Sequence, residues 1–161
     1  MTKNKRENNK NRGIALLEAV VGVSVISLII FSLLSVFHIS QKVMTESGRN
    51  AKASFLLEEG IEAVRIMRDS SWSNIASLST STDYYFSFNG SAWATTTANV
   101  FVDSIFERKV RVGDVFRSGS DDIAASGTFD AGTKKITVTV SWPGRTGTST
   151  KSISTYVANI F

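Results

Sequence analysis

The hydrophobic pattern of the chain begins with a long apolar run over residues 14–37. Among these 24 residues, Glu18 is the only charged side chain. A helix rises about 1.5 Å per residue, so a helix of this length reaches roughly 36 Å, which is enough to cross the hydrocarbon core of a bilayer. The pattern therefore predicts a transmembrane helix over residues 14–37.

A one-sided helical pattern follows over residues 38–71. No proline interrupts this stretch from residue 41 onward, and apolar or small residues recur at intervals of three and four. These residues are Ala53, Leu56, Leu57, Gly60, Ile61, Val64 and Met67. Charged residues lie largely off this stripe, and Arg65 has the spacing to pair with Glu62 and with Asp69. Residues 38–71 are therefore predicted to be an amphipathic continuation of the helix that begins at Ile14.

Beyond the helix the period changes to two, which predicts strands. A Ser- and Thr-rich linker over residues 72–82 comes first. Aromatic residues then alternate up to Phe88, and Asn89-Gly90 follows directly. Asn-Gly beside alternating aromatics is typical of a β-hairpin with a two-residue turn. We therefore expect a β-rich globular head over residues 72–161.

Three more strands are predicted in the head, over residues 100–115, 136–142 and 152–161. In the second of these, apolar and hydroxyl side chains alternate most clearly. The Ser-, Gly- and Asp-rich stretch 117–133 is predicted to be a loop. A half-buried sheet needs cover for its apolar face, and the stripe on the second half of the helix is available for this. The predicted fold class is α+β, with a long N-terminal helix packed on a C-terminal antiparallel sheet.

Charge and cysteine content narrow the possible functions. Residues 1–13 contain five of the 18 Lys and Arg residues and one of the 14 Asp and Glu residues, which leaves 13 of each sign elsewhere. The net charge of +4 therefore belongs to a basic leader, which we expect to be disordered and to act as a positive-inside signal. No specific nucleic-acid partner is predicted. The absence of cysteine excludes disulfides and Cys-ligated metal sites.

The sequence offers little catalytic or cofactor chemistry. His38 is the only histidine and lies at the end of the apolar run, and no Gly-rich phosphate loop is present. We therefore predict no catalytic residue, no cofactor and no metal ligand, and a protein that is not an enzyme. Asp114, Asp121, Asp122 and Asp130 lie near glycines and leave a Ca²⁺ site open, although their spacing fits no EF-hand.

Glu18 is the exception within the apolar run. An ionised group inside a membrane helix costs about 2.5–3.5 kcal/mol on insertion scales, so some compensation is expected. A positive charge at the same depth would supply it. The other interpretation is that the carboxylate, one turn into the span, reaches back to the lipid headgroups without a partner.

The junction resembles the N-terminus of type IV prepilins and the related pseudopilins: a basic leader ends in Gly13, Ile14 follows, and Glu18 is the fifth residue after the glycine. The segments 58–65, 138–142 and 154–156 resemble minor pilin-like proteins in particular. This resemblance implies a pilin-like fold. It also implies that a prepilin peptidase cuts after Gly13 and methylates the new N-terminus at Ile14, and that Glu18 pairs with the terminal amine of a neighbouring subunit.

The resemblance implies a minor pilin or pseudopilin subunit of a type IV pilus-like filament. Its partners would be prepilin peptidase, other pilin or pseudopilin subunits, an inner-membrane assembly platform and membrane lipid. It would be a single-pass membrane protein with a cytoplasmic N-terminus before it joins an extracytoplasmic or cell-surface filament. Small residues would allow close helix packing, and these are Ala15, Ala19, Gly22, Ser24 and Ser27. Pili for adhesion or twitching, competence pili and type II secretion all remain open.

The chain also departs from the family pattern. Ile14 occupies a position that is most often Phe or Met, the span lacks the proline of many major pilins, and no disulfide closes the C-terminal region. The alternative function is a single-span, signal-anchored extracytoplasmic binding domain that is never processed. An ordinary signal peptide fits less well, since the apolar run is too long and no small-residue cleavage site follows it.

Overall fold

The computed structural model describes the backbone of residues 3–80 and 82–160, and side chains from residue 13 onward within these ranges. The chain divides into two compact units, Met1–Thr45 and Glu46–Phe161. Its elements, in chain order, are α1 Lys3–Ser70, α2 Ser73–Ala76, β1 Tyr84–Phe88, β2 Trp93–Thr96, β3 Phe101–Val102, β4 Phe106–Arg117, β5 Ile123–Ala124, β6 Thr128–Gly144 and β7 Gly147–Ala158.

The predicted helix is present, and it begins earlier than expected. The described backbone of the leader belongs to α1 from Lys3 onward, so the expectation of a disordered leader is wrong for residues 3–13. Residues 1 and 2 lie outside the described part. Lys, Arg and Glu are good helix formers, and adding residues to an existing helix avoids the cost of nucleation. The apolar helix that follows provides that nucleus.

In the first unit, the apolar stretch of α1 is long enough and apolar enough to span a membrane. The Gly13–Ser70 part of the helix contains an 18-residue window with a mean hydropathy of 2.7, and none of that window is buried by the rest of the protein. From residue 13 to residue 45, every side chain is exposed except that of Ser27, which is half-buried.

In its described residues, the second unit is built around one antiparallel sheet of seven strands. The main strand order is β2-β1-β4-β6-β7, and the short strands β3 and β5 both pair with β4. Residues 46–70 of α1 cover one face of this sheet. The apolar stripe predicted for this part of the helix is buried at every position, and it meets the inward side chains of β6, which are Ile136, Val138, Val140 and Trp142. The expected α+β layout is therefore present.

Gly60 marks the closest approach between the helix and the sheet. A Cβ atom at this position would lie 2.8 Å from Cγ1 of Val138 and 3.4 Å from the ring of Phe86. The glycine lets the helix backbone come down onto β6 and β1. Glu62 and Arg65 form the expected ion pair at 3.2 Å on the exposed side, whereas Asp69 pairs with Arg68 instead of Arg65.

The loop predicted over residues 117–133 is wrong for most of its length. Strands β4 and β6 pair through this region, with Phe116 opposite Phe129 and a register shift between Asp114 and Val115. The two phenylalanine rings lie 6.1 Å apart. Cross-strand aromatic and charged pairs stabilise a hairpin whose composition is otherwise typical of a loop.

The linker predicted over residues 72–82 contains α2, and this short helix places Ile75 in the core. The predicted Asn-Gly hairpin is present, but its turn is longer than two residues because Phe88 pairs with Trp93. The side-chain oxygen of Asn89 accepts hydrogen bonds from the backbone N–H groups of the two residues that precede Trp93. Gly90 has a φ of 92°, which favours glycine.

Candidate functional site

The residues predicted for processing and assembly all lie on α1. Gly13 is exposed, and a Cβ atom built on it would meet nothing within 4 Å. Ile14 and Glu18 are four residues apart, so their side chains lie on the same face of the helix, one turn from each other. The structure therefore brings the predicted cleavage junction and the single acidic side chain of the apolar run to one exposed face.

The five small residues predicted for helix packing divide between two faces. Successive residues of a helix are rotated by about 100°, which places Ala15, Ala19 and Gly22 within a sector of about 60°. Glu18 borders this sector. Ser24 and Ser27 lie about 180° and 120° around the axis from Ala15. We call the first group the small-residue stripe; the two serines do not belong to it.

The hydroxyl groups of the serines form hydrogen bonds within α1. Ser24 donates to the carbonyl of Val20 at 2.7 Å, and Ser27 donates to the carbonyl of Val23 at 2.7 Å. Ser32 and Ser35 make the same bond one turn back along the helix. A hydroxyl that bonds within its own helix needs no outside partner in an apolar environment. This face of α1 is therefore compatible with lipid or with another helix.

Glu18 has no hydrogen bond or ion pair with the side chains that the structure describes from residue 13 onward. The side chains of the basic leader lie outside that part. In a bilayer or another apolar environment, an ionised carboxylate at this position would lose its hydration, and no described side chain compensates for that loss. A cation from another molecule would supply that compensation.

The aspartates considered for calcium are largely occupied by basic side chains. Asp114 accepts from Nζ of Lys134 at 2.7 Å, and Asp130 accepts from Nε of Arg117 at 2.6 Å. The Arg117 hydrogen bond holds the pKa of Asp130 below its ordinary range. Within the described ranges, no three His, Cys, Asp or Glu side chains come together in a group that could hold a metal ion.

A buried arginine, which the sequence pattern did not predict, lies between the helix and the sheet. The side chain of Arg108 is only 5% exposed, and its Nη1 lies 3.0 Å from a carboxylate oxygen of Glu59 on α1. Its guanidinium carbon lies 5.2 Å from the ring centroid of Phe86 and 5.5 Å from that of Trp93. The alternation of side chains along the strand could have revealed this burial, because Arg108 lies two residues before Val110, whose side chain points inward. The arginine ties residues 46–70 of α1 to the sheet.

A second polar group lies on the uncovered face of the sheet. The carboxylate of Asp83 accepts hydrogen bonds from Arg111 and, at 3.0 Å, from Nζ of Lys109. The hydrogen bond from Arg111 is the main cause that holds the pKa of Asp83 below its ordinary value, although partial burial opposes it. Glu107 accepts from the hydroxyl of Tyr85 at 3.1 Å. Through these contacts, charged side chains of β4 are paired with groups of the same chain.

Comparison with known proteins identifies no relative. No protein-family model matches the chain, and no significant match is found among the curated proteins or the solved structures.

Proposed function

We propose that the chain is a minor pilin or pseudopilin subunit of a type IV pilus-like filament, processed after Gly13 and assembled through its N-terminal helix. The observation that carries this proposal is the face shared by Ile14 and Glu18. An acidic side chain lies one helical turn from the junction with the basic leader, inside an apolar helix, with no partner among the described side chains.

Cleavage at the junction would create a positively charged partner for Glu18. Hydrolysis of the peptide bond after Gly13 by prepilin peptidase removes the leader and leaves an amine on Ile14, which the same enzyme methylates. In the filament, the amine of one subunit lies beside Glu18 of its neighbour. In an apolar environment this charge pair is stronger than in water, so it offsets the cost of the buried carboxylate and sets the register between subunits.

The small-residue stripe of Ala15, Ala19 and Gly22 supports close contact between helices. Small side chains four and three residues apart let a second helix approach the backbone, and van der Waals packing drives helix association in lipid. Because Glu18 borders this stripe, a neighbour that docks there would bring its own N-terminus near the carboxylate. Ser24 and Ser27 would face lipid or a further subunit.

The remaining features support a membrane-anchored subunit with a pilin-like fold. A long N-terminal apolar helix and a helix-covered antiparallel sheet are the layout that the resemblance implies. The basic leader would keep the N-terminus in the cytoplasm before processing. The partners would be the peptidase, other pilin or pseudopilin subunits, an inner-membrane assembly platform and lipid.

The test is the intact mass and N-terminal residue of the membrane-extracted protein, produced with and without a prepilin peptidase. We expect a product that starts at methylated Ile14 only when the peptidase is present. Gly13→Val should abolish this product. Gly22→Val is the matched control, because a Cβ atom at either glycine meets nothing within 4 Å; this variant should be processed normally.

The same preparations test the role of Glu18 in assembly. Glu18→Ala should insert and be cleaved like the wild-type protein, yet it should fail to enter filaments when the pilus machinery is present. Ser24→Ala, about 120° around the axis of α1 from Glu18, should enter them normally. Normal incorporation of Glu18→Ala would refute the proposed register pairing. An unprocessed chain under all conditions would favour the alternative, a single-span anchored binding domain.

A further inference from the structure

The turn between β1 and β2 presents an Asn-Gly pair to solvent. Asn89 and Gly90 are both exposed, and so are the two residues that precede Trp93. In an Asn-Gly pair, the backbone nitrogen of the glycine can attack the side-chain amide carbon of the asparagine, because the glycine has no Cβ atom to hinder the approach. The two groups belong to adjacent residues, so the attack is intramolecular. The turn therefore has the composition of a site of spontaneous deamidation.

The hydrogen bonds of the turn favour this attack. The N–H of Gly90 donates no hydrogen bond within the described residues, so the attacking nitrogen is free. Oδ1 of Asn89 accepts from the N–H of Ser91 at 3.0 Å and from the N–H of Ala92 at 2.9 Å. Attack on the amide carbon places negative charge on this oxygen, and N–H donors that already point at the oxygen stabilise that charge.

The other asparagines of the second unit lack this combination. Asn74, Asn99 and Asn159 each precede isoleucine or valine, whose branched side chains hinder the backbone nitrogen. Asn50 lies within α1, where the N–H of the following residue bonds to the carbonyl one turn earlier. Asn89 is the only asparagine of residues 46–161 that a glycine follows. Deamidation should therefore be selective for Asn89 within this unit.

We propose that Asn89 is a modification site that loses its amide in the folded protein through a cyclic imide formed with Gly90. The Gly90 nitrogen gives its proton to a solvent base and forms a bond to Cγ of Asn89. The bond from Cγ to Nδ2 breaks, and Nδ2 takes a proton from water and leaves as ammonia. One water molecule then opens the imide. Addition of this water at Cγ gives aspartate, and addition at the main-chain carbonyl carbon gives isoaspartate.

The two products have opposite effects on the turn. Aspartate leaves the main chain unchanged, and its carboxylate accepts the same two N–H bonds, which become charge-assisted and therefore stronger. Isoaspartate routes the main chain through the former side chain and adds one carbon atom between Phe88 and Gly90. This displaces the N–H of residue 89 from the carbonyl of Ala92 and loosens the pairing of Phe88 with Trp93. The inference does not depend on the filament proposal, since it concerns only residues 46–161.

The test is peptide mapping of the full-length protein after incubation in detergent micelles, at mildly alkaline pH, in water enriched in heavy oxygen. Trypsin in ordinary water then releases residues 69–108 as one peptide, which contains Asn74, Asn89 and Asn99. Only conversion during the incubation introduces the label. We expect labelled aspartate and isoaspartate at residue 89 and unchanged asparagine at the other two positions.

Two outcomes of this mapping would overturn the proposal. An unconverted Asn89 in the folded protein is the first, and conversion only in urea would show that the fold protects the turn. Labelled aspartate without isoaspartate is the second, because direct hydrolysis of the side-chain amide gives aspartate alone, whereas a cyclic imide opens at either carbonyl.

Variants separate the reaction from its consequence. Gly90→Ala should slow the conversion about tenfold, because the added methyl group hinders the attacking nitrogen. Gly119→Ala is the control, since this glycine is also exposed and a Cβ atom there meets nothing within 4 Å; it should convert like the wild-type protein. Asn89→Asp should keep hydrogen exchange of the β1 and β2 amides at least as slow as before conversion, whereas the isoaspartate form should exchange faster. Equal conversion of Gly90→Ala and the wild-type protein, or faster exchange in Asn89→Asp, would contradict the proposal.

Discussion

The two parts of α1 share one helical backbone, but they differ in what covers their apolar side chains. From residue 14 to residue 37 apolar side chains surround the helix, and no side chain from residue 13 to residue 45 is buried. From residue 46 to residue 70 the apolar residues keep to one stripe, and the sheet covers that stripe. A helix that is apolar on all sides must find its apolar environment outside the chain, whereas an amphipathic helix finds cover within it.

The polar groups of the two parts differ in the same way. In the first part, the serine hydroxyls bond to the carbonyl one turn earlier in the same helix. In the second part, the helix receives polar contacts from distant strands: Lys151 donates to the carbonyl of Asn50, and Arg108 pairs with Glu59. The first part is thus independent of the sheet, and the second part depends on it.

The largest expected effect comes from a pair of leucines, one in each part. Leu56 is 2% exposed in the core and Leu34 is 49% exposed. Leu56→Ala should lower the free energy of unfolding of the head by about 2–5 kcal/mol, because it leaves a cavity. Leu34→Ala should leave that free energy unchanged. Urea unfolding of the detergent-solubilised protein, followed by tryptophan fluorescence, measures both.

Tryptophan fluorescence reports selectively on the second unit, since the three tryptophans are Trp72, Trp93 and Trp142. An equal loss of stability in the two leucine variants would contradict the comparison. It would mean that side chains of the first part of α1 contribute to the folding of the head.

A smaller effect is expected from two glycines within the second part. Gly60→Ala should destabilise the head by about 1–3 kcal/mol through overpacking against Val138. Gly48 is exposed, and a Cβ atom there meets nothing within 4 Å. Gly48→Ala should therefore stabilise the head by about 0.5–1 kcal/mol, since alanine is the better helix former. The same urea titration distinguishes them, and destabilisation by both would show that close contact with the sheet is not what requires Gly60.

Much of the fold follows from periodicity in the sequence, and the exceptions have physical causes. The helix stripe and the alternation from Ile136 to Trp142 depend on local spacing, and both predictions are confirmed. The extension of β4 and β6 depends on pairs such as Phe116 with Phe129. Such pairs become visible only once the register is known, so local composition predicted a loop there.

The candidate site was predictable to a different extent. Glu18 stands out as a charge in an apolar run, and the helix places it one turn from Ile14 as the spacing requires. The division of the small residues between two faces also follows from helix geometry. Arg108 was missed because a basic residue in a strand is usually exposed. Its burial depends on Glu59 and on two aromatic rings that are distant in sequence.

The smallest expected effect is an acid sensitivity confined to the second unit. The hydrogen bonds from Arg111 and Lys109 hold the pKa of Asp83 below its ordinary value. The stability that ionised Asp83 contributes is therefore present above the unfolded carboxyl pKa of about 3.9 and is lost as pH falls through the lower folded value. Asp83→Asn should lower the free energy of unfolding by less than about 1 kcal/mol at pH 7.

The gap between Asp83→Asn and the wild-type protein should begin to narrow as the pH falls below about 3.9 and should close once the pH lies below the lowered folded pKa of Asp83. Asp122→Asn is the control, because its carboxylate accepts from the hydroxyl of Ser120 and has no ion pair among the described side chains. The same pH-dependent gap in Asp122→Asn would mean that the ion pairs of Asp83 are not its source. A constant gap for Asp83→Asn down to pH 2 would mean that the asparagine disturbs packing instead of removing a charge. A gap that closes would assign this acid sensitivity to the carboxylate of Asp83, whose ion pairs join the residue before β1 to Lys109 and Arg111 of β4.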